Sequence, residues 1–228
     1  MTQGPTASVR RLGINAHLVA DGDGLTLIDT GLAVHAGAIR RAIAATGLPL
    51  RRVAITHAHP DHVGGLDRIV ASYPGVEVLV SRRDAKLLRD DKSPEPGEPA
   101  DARIRGPLPS VRTQPTRLLD DGDAVGSLLV VASPGHSPGH VAFFDSRDGT
   151  LFAGDALATL GGVTTAAKPG WPFPLMALLA WHRPTALTSV RRLRALDPAR
   201  LAVGHGRTLE QPAAAIDRAI AAADAGTG

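Results

Sequence analysis

Short apolar runs closed by turn residues dominate the chain. Ser8 to Arg11, Asn15 to Ala20 and Leu25 to Asp29 predict three strands, and Asp21-Gly22-Asp23-Gly24 supplies the turn between the last two. The spacing then changes. Val34, Ala38, Ile39, Ala42 and Ile43 share one helical face, predicting a helix over Val34 to Ala45 that Gly47 and Pro49 end. Val53-Ala54-Ile55 predicts a buried strand, Leu66 to Ala71 a helix, Val76 to Val80 a strand, and Arg82 to Arg89 a short helix. Lys92 to Ser110 is rich in Pro and Gly, lacks any apolar period, and is read as a long surface loop. Strands resume at Thr116 to Leu119 and Ser127 to Val131, and a hairpin spans His140 to Asp155, turning near Arg147-Asp148-Gly149. After an irregular stretch over 156–183 come a helix (Pro184 to Leu196), a strand (Arg200 to Val203) and an Ala-rich helix (Glu210 to Ala223).

A loose internal repeat runs through this order. His17 to Asp21, a turn, and Leu25 to Asp29 parallel His140 to Asp145, a turn, and Leu151 to Asp155. Likewise Leu50 to His57 parallels Pro198 to His205. Each half runs hairpin, aspartate at a strand end, helix, strand, histidine. Such a pattern suits two pseudo-symmetric α/β halves facing each other across one site.

Composition narrows the picture. A chain of 228 residues suits one domain, 1–228, and 43% hydrophobic residues suffice for a core. Only 3% are aromatic, so aliphatic side chains do most of the packing. The net charge is +3 and no Lys/Arg run exceeds a pair, which gives no footprint for nucleic acid. Cysteine is absent, which removes disulfides and thiolate ligands and is compatible with the cytoplasm. Met1 to Pro5 does not read as the start of a secretory leader, and the longest apolar run, Pro174 to Trp181, is too short to span a bilayer. A cytoplasmic protein acting on a small molecule is the expectation.

The candidate chemistry is concentrated at Thr56-His57-Ala58-His59-Pro60-Asp61-His62, followed by Val63-Gly64-Gly65. Side chains at a strand end and in the tight loop after it can converge on one point. Imidazole nitrogen and carboxylate oxygen are zinc ligands, and a catalytic site keeps one coordination position open.

The pattern H-x-H-x-D-H-x-G-G resembles the signature of the metallo-β-lactamase superfamily. Three further stretches fit that resemblance in order: Ser133 to His140 (SPGHSPGH), Phe152-Ala153-Gly154-Asp155, and Val203-Gly204-His205-Gly206. The resemblance implies a four-layered αββα sandwich with the metals at one edge of two sheets. It also implies that His57, His59 and His136 bind a first metal, that Asp61, His62 and His205 bind a second, and that Asp155 bridges both. Two divalent cations roughly 3.5–4 Å apart can share one water, which becomes hydroxide near neutral pH and attacks a carbonyl. Asp61 and Asp155 are then the catalytic carboxylates, and two zinc ions per chain the expected cofactors.

Other residues are weighed individually. Asp29, at a strand end, and His140, which repeats the surroundings of His136, are expected to support ligands from behind rather than bind metal. His17 is read as packing, and His35, at a helix start, as solvated. The segment Trp171 to Trp181 holds both tryptophans. Trp171, Phe173, Trp181 and the following His182 are candidates for an apolar substrate wall, with core packing or a homodimer contact as the alternative.

Absences then separate branches of the family. Zinc β-lactamases with a Cys ligand are excluded, and no room exists for the added domains of nucleic-acid-processing or flavin-linked members. The C-terminal extension of glyoxalase II-like enzymes is not recognisable, the only tyrosine being Tyr73. Ala156 to Thr159 stands where lactonases of this fold place a tyrosine. The reading is a dinuclear zinc hydrolase of a small ester, thioester or lactone. The alternative is a mononuclear non-haem iron dioxygenase resembling persulfide dioxygenases, which would use His57, His136 and Asp155.

Overall fold

The computed structural model describes residues 7–225. Met1 to Pro5, read above for a leader, lie outside them. Six strands build a first sheet in chain order: β1 (Ala7–Arg11), β2 (Ile14–Asp21), β3 (Gly24–Ile28), β4 (Leu50–Ala54), β5 (Glu77–Ser81) and β6 (Arg117–Leu119). The first three form an antiparallel meander, and β3 to β6 run parallel. Between them lie α1 (Ala36–Thr46), α2 (Pro60–Val63), α3 (Leu66–Ser72) and α4 (Asp84–Leu87).

The second sheet takes β7 (Ala124–Val125), β8 (Leu128–Ala132), β9 (Val141–Asp145), β10 (Thr150–Phe152), β13 (Arg200–Ala202) and β14 (Leu209–Glu210). Its spatial order is β14-β13-β10-β9-β8-β7, with β10 and β13 parallel and the other pairs antiparallel. A small hairpin of β11 (Leu157–Ala158) and β12 (Thr164–Thr165) stands apart, followed by α5 (Leu175–Leu178), α6 (Arg183–Ala195) and, after β14, α7 (Ala213–Asp224). The repeat seen in the sequence appears as topology. An antiparallel hairpin beside a parallel strand occurs as β2-β3-β4 in one sheet and as β9-β10-β13 in the other.

Three buried layers show why the strands are nearly continuous apolar runs, as expected for sheets covered on both faces. Leu18, Leu25, Leu27 and Val53 pack outward against Ile39 and Ile43 of α1. Val19, Ile28, Ala54 and Leu79 pack inward against Val130, Phe143 and Phe152. Leu151 and Leu201 pack against Val190 and Leu193 of α6 and Ile216 of α7. Helix, sheet, sheet and helix are therefore stacked as an αββα sandwich. Phe143 and Phe152 are register neighbours on β9 and β10, so two of the four phenylalanines fill the seam between the sheets.

Several boundaries depart from the sequence reading. The first helix opens with a 3-10 turn at Ala33–His35. His35 is fully buried rather than solvated, because its Nε2 reaches the carbonyl of Arg11 at 2.9 Å and its Nδ1 accepts from the Leu32 amide at 3.1 Å. Leu209 and Glu210 pair with β13, so the last helix starts at Ala213 instead of Glu210. The helix read over Arg82 to Arg89 shrinks to α4, while Lys92 to Ser110 carries neither helix nor strand. Among the described residues no helix is long and apolar enough to cross a membrane.

Candidate metal centre

The two sheets bring their strand ends together at one edge. Beyond β4 the chain turns through Thr56 into the histidine-rich loop, where His59 precedes α2 and Pro60 takes the helix's first position. Beyond β13 it turns through Gly204 to His205. A side chain at Gly204 would collide with Asp155 Oδ1 and His62 Cε1, so only glycine lets the backbone pass this close. The N-terminal hairpin stitches the same edge. Asn15 Nδ2 donates to the carbonyls of Val203 and Gly206, each at 2.8 Å.

Seven side chains converge there in overlapping groups: His57, His59 and His136; His57, His62 and Asp155; Asp61, His62 and His205. Within each group the ligand atoms lie within 4.8 Å of one another. In the first, His59 Nδ1 is 3.1 Å from His57 Nε2 and 2.8 Å from His136 Nε2. In the last, His205 Nε2 is 3.1 Å from Asp61 Oδ2. Asp155 faces both sides. Its Oδ2 lies 3.5 Å from His136 Nε2 and 3.3 Å from His205 Nε2, and its Oδ1 lies 3.3 Å from His62 Nε2.

Three of the imidazoles are aimed by the nitrogen they turn away. His62 Nδ1 is 2.7 Å from Asp29 Oδ2, His136 Nδ1 is 2.9 Å from the Met176 carbonyl, and His205 Nδ1 is 3.2 Å from the Gly13 carbonyl. These contacts leave Nε2 of all three directed into the shared space, as ligands require. Asp29 also accepts from the amide and hydroxyl of Thr56, both at 2.8 Å. His140 is turned away from the cluster. Its Nδ1 meets Ser133 Oγ at 2.9 Å, and its Nε2 accepts the Asp155 amide at 3.1 Å, which fixes the backbone at Asp155. His17 packs on Phe152, ring centroids 5.4 Å apart, with Nε2 3.2 Å from the Val203 carbonyl.

Charge divides the cluster into two kinds of donor. Burial, reinforced by neighbouring imidazoles, holds His57 and His136 well below the usual histidine range, and burial lowers His59 too. Burial thus favours the neutral form of all three. For His62, burial opposes the charged form, but Asp155, Asp29 and Asp61 together outweigh it and push it well up. His205 is buried as well, yet Asp155 and Asp61 raise it to about 10. The carboxylates move the other way against their own burial: Asp61 falls to about 2 beside His62 and His205, and Asp155 falls well below the carboxylate range.

The donor set fits divalent cations. His62 Nε2, His205 Nε2 and Asp155 Oδ1 are buried, aimed into the cluster and without a hydrogen-bond partner among the described residues. Buried polar atoms in that state call for an ion or water. Carboxylates and imidazoles are ligands that zinc and iron both accept.

A cavity of about 510 Å³ opens onto the cluster, with His59, Asp61, His136, Asp155 and His205 at its floor. Its walls include Leu12, Leu32, Leu160, Phe173, Leu175 and Leu179. Of the four wall candidates from the sequence, Phe173 lines this cavity. Trp171 is 87% exposed and outside its wall. Trp181 is buried elsewhere, although its amide donates to the His136 carbonyl at 2.9 Å. His182 caps α6, its side chain accepting from the Thr185 amide. Alternation cannot tell which of two interiors a loop side chain enters, and here only Phe173 enters the cavity.

Asp84 lies outside every motif of the sequence. It is fully buried, and its carboxylate accepts from Ala58 N (2.9 Å), Ser137 Oγ (2.6 Å) and Gly139 N (2.7 Å). It thereby ties the loop of His57 and His59 to the loop of His136. The available signal was an acidic residue opening a short helix after β5, which is common enough to pass unnoticed.

Residues 9–205 match the sequence profile of the metallo-beta-lactamase superfamily. The "Uncharacterized protein YobT" of Bacillus subtilis (strain 168) is 39% identical over 214 residues, covering 93% of this chain and 91% of that protein. A hydroxyacylglutathione hydrolase of Gloeobacter violaceus is 33% identical over 123 residues, which is 52% of this chain and only 39% of that enzyme. Among solved structures, TTHA1623 in a di-iron-bound form is similar with a TM-score of 0.65 at 30% identity, covering 92% of this chain and 96% of that one.

Proposed function

Because this chain belongs to the metallo-β-lactamase superfamily, we propose that it is a dinuclear zinc hydrolase of a small ester, thioester or lactone. One observation carries the dinuclear reading: Asp155 lies within 3.5 Å of His136 on one side and within 3.3 Å of both His62 and His205 on the other. A carboxylate so placed serves two ions at once. His57, His59 and His136 would hold the first, and Asp61, His62 and His205 the second. If bound there, the ions would supply Lewis acidity to a scissile carbonyl and would lower the pKa of water near it.

The remaining work belongs to side chains. Asp29 and the carbonyls of Met176 and Gly13 hold the imidazoles in the tautomer that offers Nε2. Asp61, whose side chain is 33% exposed, stands at the cavity floor with its carboxyl held at about 2. It is therefore ionised at neutral pH and acts as ligand and acceptor. His57 and His62 are fully buried behind the other ligands, so the substrate meets the five residues of the cavity floor.

Protein purified from cells supplied with zinc and iron should carry about two zinc ions per chain and hydrolyse members of a thioester, lactone and aryl ester panel. Chelation should remove the activity and zinc restore it. Asp155→Ala should lower kcat/KM by about a thousandfold or more and weaken at least one metal. Activity that survives chelation, or full activity in Asp155→Ala, would overturn the mechanism. The di-iron form of the relative TTHA1623 favours iron as a second reading of the metal. One iron per chain, with oxygen uptake on persulfide, would replace the hydrolase by the dioxygenase.

A further inference from the structure

One side chain on the cavity wall stands where chain geometry disfavours it. Two residues, Leu12 and Gly13, join β1 to β2 between the paired Arg11 and Ile14, and their φ values are 54° and 77°. Tight hairpin turns with two left-handed residues favour Asn, Asp or Gly at the first of them. Here that position holds a leucine whose side chain is 72% exposed. A left-handed leucine in water gains from neither backbone preference nor burial. An outlier of this kind, at a site mouth, points to use rather than to folding. The turn is also held firmly, since the carbonyl of Gly13 meets His205 Nδ1 at 3.2 Å. Leu12 thus overlooks the metal centre from a base that the centre itself fixes.

The facing wall is equally apolar. Leu175 is 53% exposed, and Met176 and Leu179 line the cavity from the same segment. The ring of Phe173 lies 4.6 Å from that of His205, so the apolar surface reaches the ligands without a polar break. Apart from the five histidine and aspartate residues of the floor, no charged or hydrogen-bonding side chain lines the cavity among the described residues. An anionic group on a substrate would therefore lose its hydration along these walls and meet no cationic side chain there.

We infer that the site selects a neutral substrate with an apolar acyl chain, seated between Leu12 and the segment from Phe173 to Leu179, and rejects anionic thioesters of the same chain length. The inference rests on the hydrolase reading. A volume of about 510 Å³ suits a medium-length chain. In the reaction, water oxygen bonds to the acyl carbon as the C–O or C–S bond breaks. The departing oxygen or sulfur takes one proton, and the acid formed releases the other to solvent.

The test pairs turnover with binding on the zinc-loaded protein. Aryl esters from acetyl to octanoyl should show kcat/KM rising about fourfold per methylene. Neutral N-acetylcysteamine thioesters should be cleaved faster than glutathione thioesters of the same acyl group. Alkyl methyl ketones, which are not hydrolysed, should bind with the same chain-length dependence in calorimetry. Leu12→Asp and Leu175→Asp change exposed positions and should lower the octanoyl-to-acetyl ratio at least tenfold. Leu118→Asp, outside the cavity and also exposed, should keep the native ratio. Turnover without chain-length preference, or faster cleavage of the glutathione thioester, would overturn the inference and leave the hydrolase reading standing. Chain-dependent ketone binding without turnover of any ester, thioester or lactone would remove the hydrolase reading and support the apolar site.

Discussion

Asp29 Oδ2 lies 2.7 Å from His62 Nδ1 across 33 positions of chain, and both groups are buried. Asp29 has a left-handed backbone, with φ of 60°. Its short side chain offsets that conformation through the hydrogen bonds it accepts from Thr56. One residue thus follows β3, fixes the start of the histidine-rich loop and sets which nitrogen of His62 faces the cluster.

Asp29→Asn keeps the shape and tolerates the same backbone. With its NH₂ turned to His62 Nδ1 the asparagine donates there, which favours the tautomer with its proton on Nε2. Metal titration should show the second ion bound about 10–100-fold more weakly, with the first little changed. Equal weakening of both ions would assign Asp29 to general stability instead.

Asp84 answers three donors in two separate loops. Asp84→Ala would leave Ala58 N, Ser137 Oγ and Gly139 N buried without acceptors. We expect about 2–4 kcal/mol lower stability in denaturant titrations and looser binding at the cluster of His57, His59 and His136. A change below about 0.5 kcal/mol would mean that the loops hold their positions without it.

The metal-free chain should titrate in a diagnostic way. His205, raised to about 10 from 6.5, and His62, raised in the same direction, hold protons that a metal must displace. Apparent affinity should therefore climb as pH rises from 6.5 towards about 10, with protons released on binding. Stability runs the opposite way. Folded-state pKa values above the unfolded one stabilise below pH 6.5, and that contribution is lost as pH rises towards about 10. His140, lowered to about 4, adds a loss on the acid side as pH falls from 6.5 towards about 4. Calorimetry in buffers of different ionisation enthalpy, with melting scans of chelated protein, would check both signs. Binding without proton release at neutral pH would contradict the arrangement of charges.

The residues of the cluster are legible in the sequence because chemistry and local geometry coincide there. His57, His59, Asp61 and His62 lie in one loop after an apolar run, and Asp155 and His205 each follow a strand of the internal repeat. The sandwich was legible through the same repeat and the shared motifs. Groups that act across long distances were not. His35 was read as solvated because its acceptor, the Arg11 carbonyl, belongs to another element. Asp84 has no local signal because Ser137 and Gly139 stand more than fifty positions away. In the apolar 171–181 segment Phe173 meets the expectation of a cavity wall, whereas Leu175, Met176 and Leu179 take the places expected of the tryptophans, because composition does not reveal which way a loop side chain turns. Leu12, in a turn, carried no signal of burial at all.

Strands β1 to β6 all belong to the first sheet and β7 to β14, save the β11-β12 hairpin, to the second, so the chain passes between them at 120–123. The first half supplies His57, His59, Asp61 and His62; the second supplies His136, Asp155 and His205. Neither half holds a complete set. The cluster exists only where the two sheets have packed edge to edge, so metal binding to it is coupled to the docking of one sheet on the other.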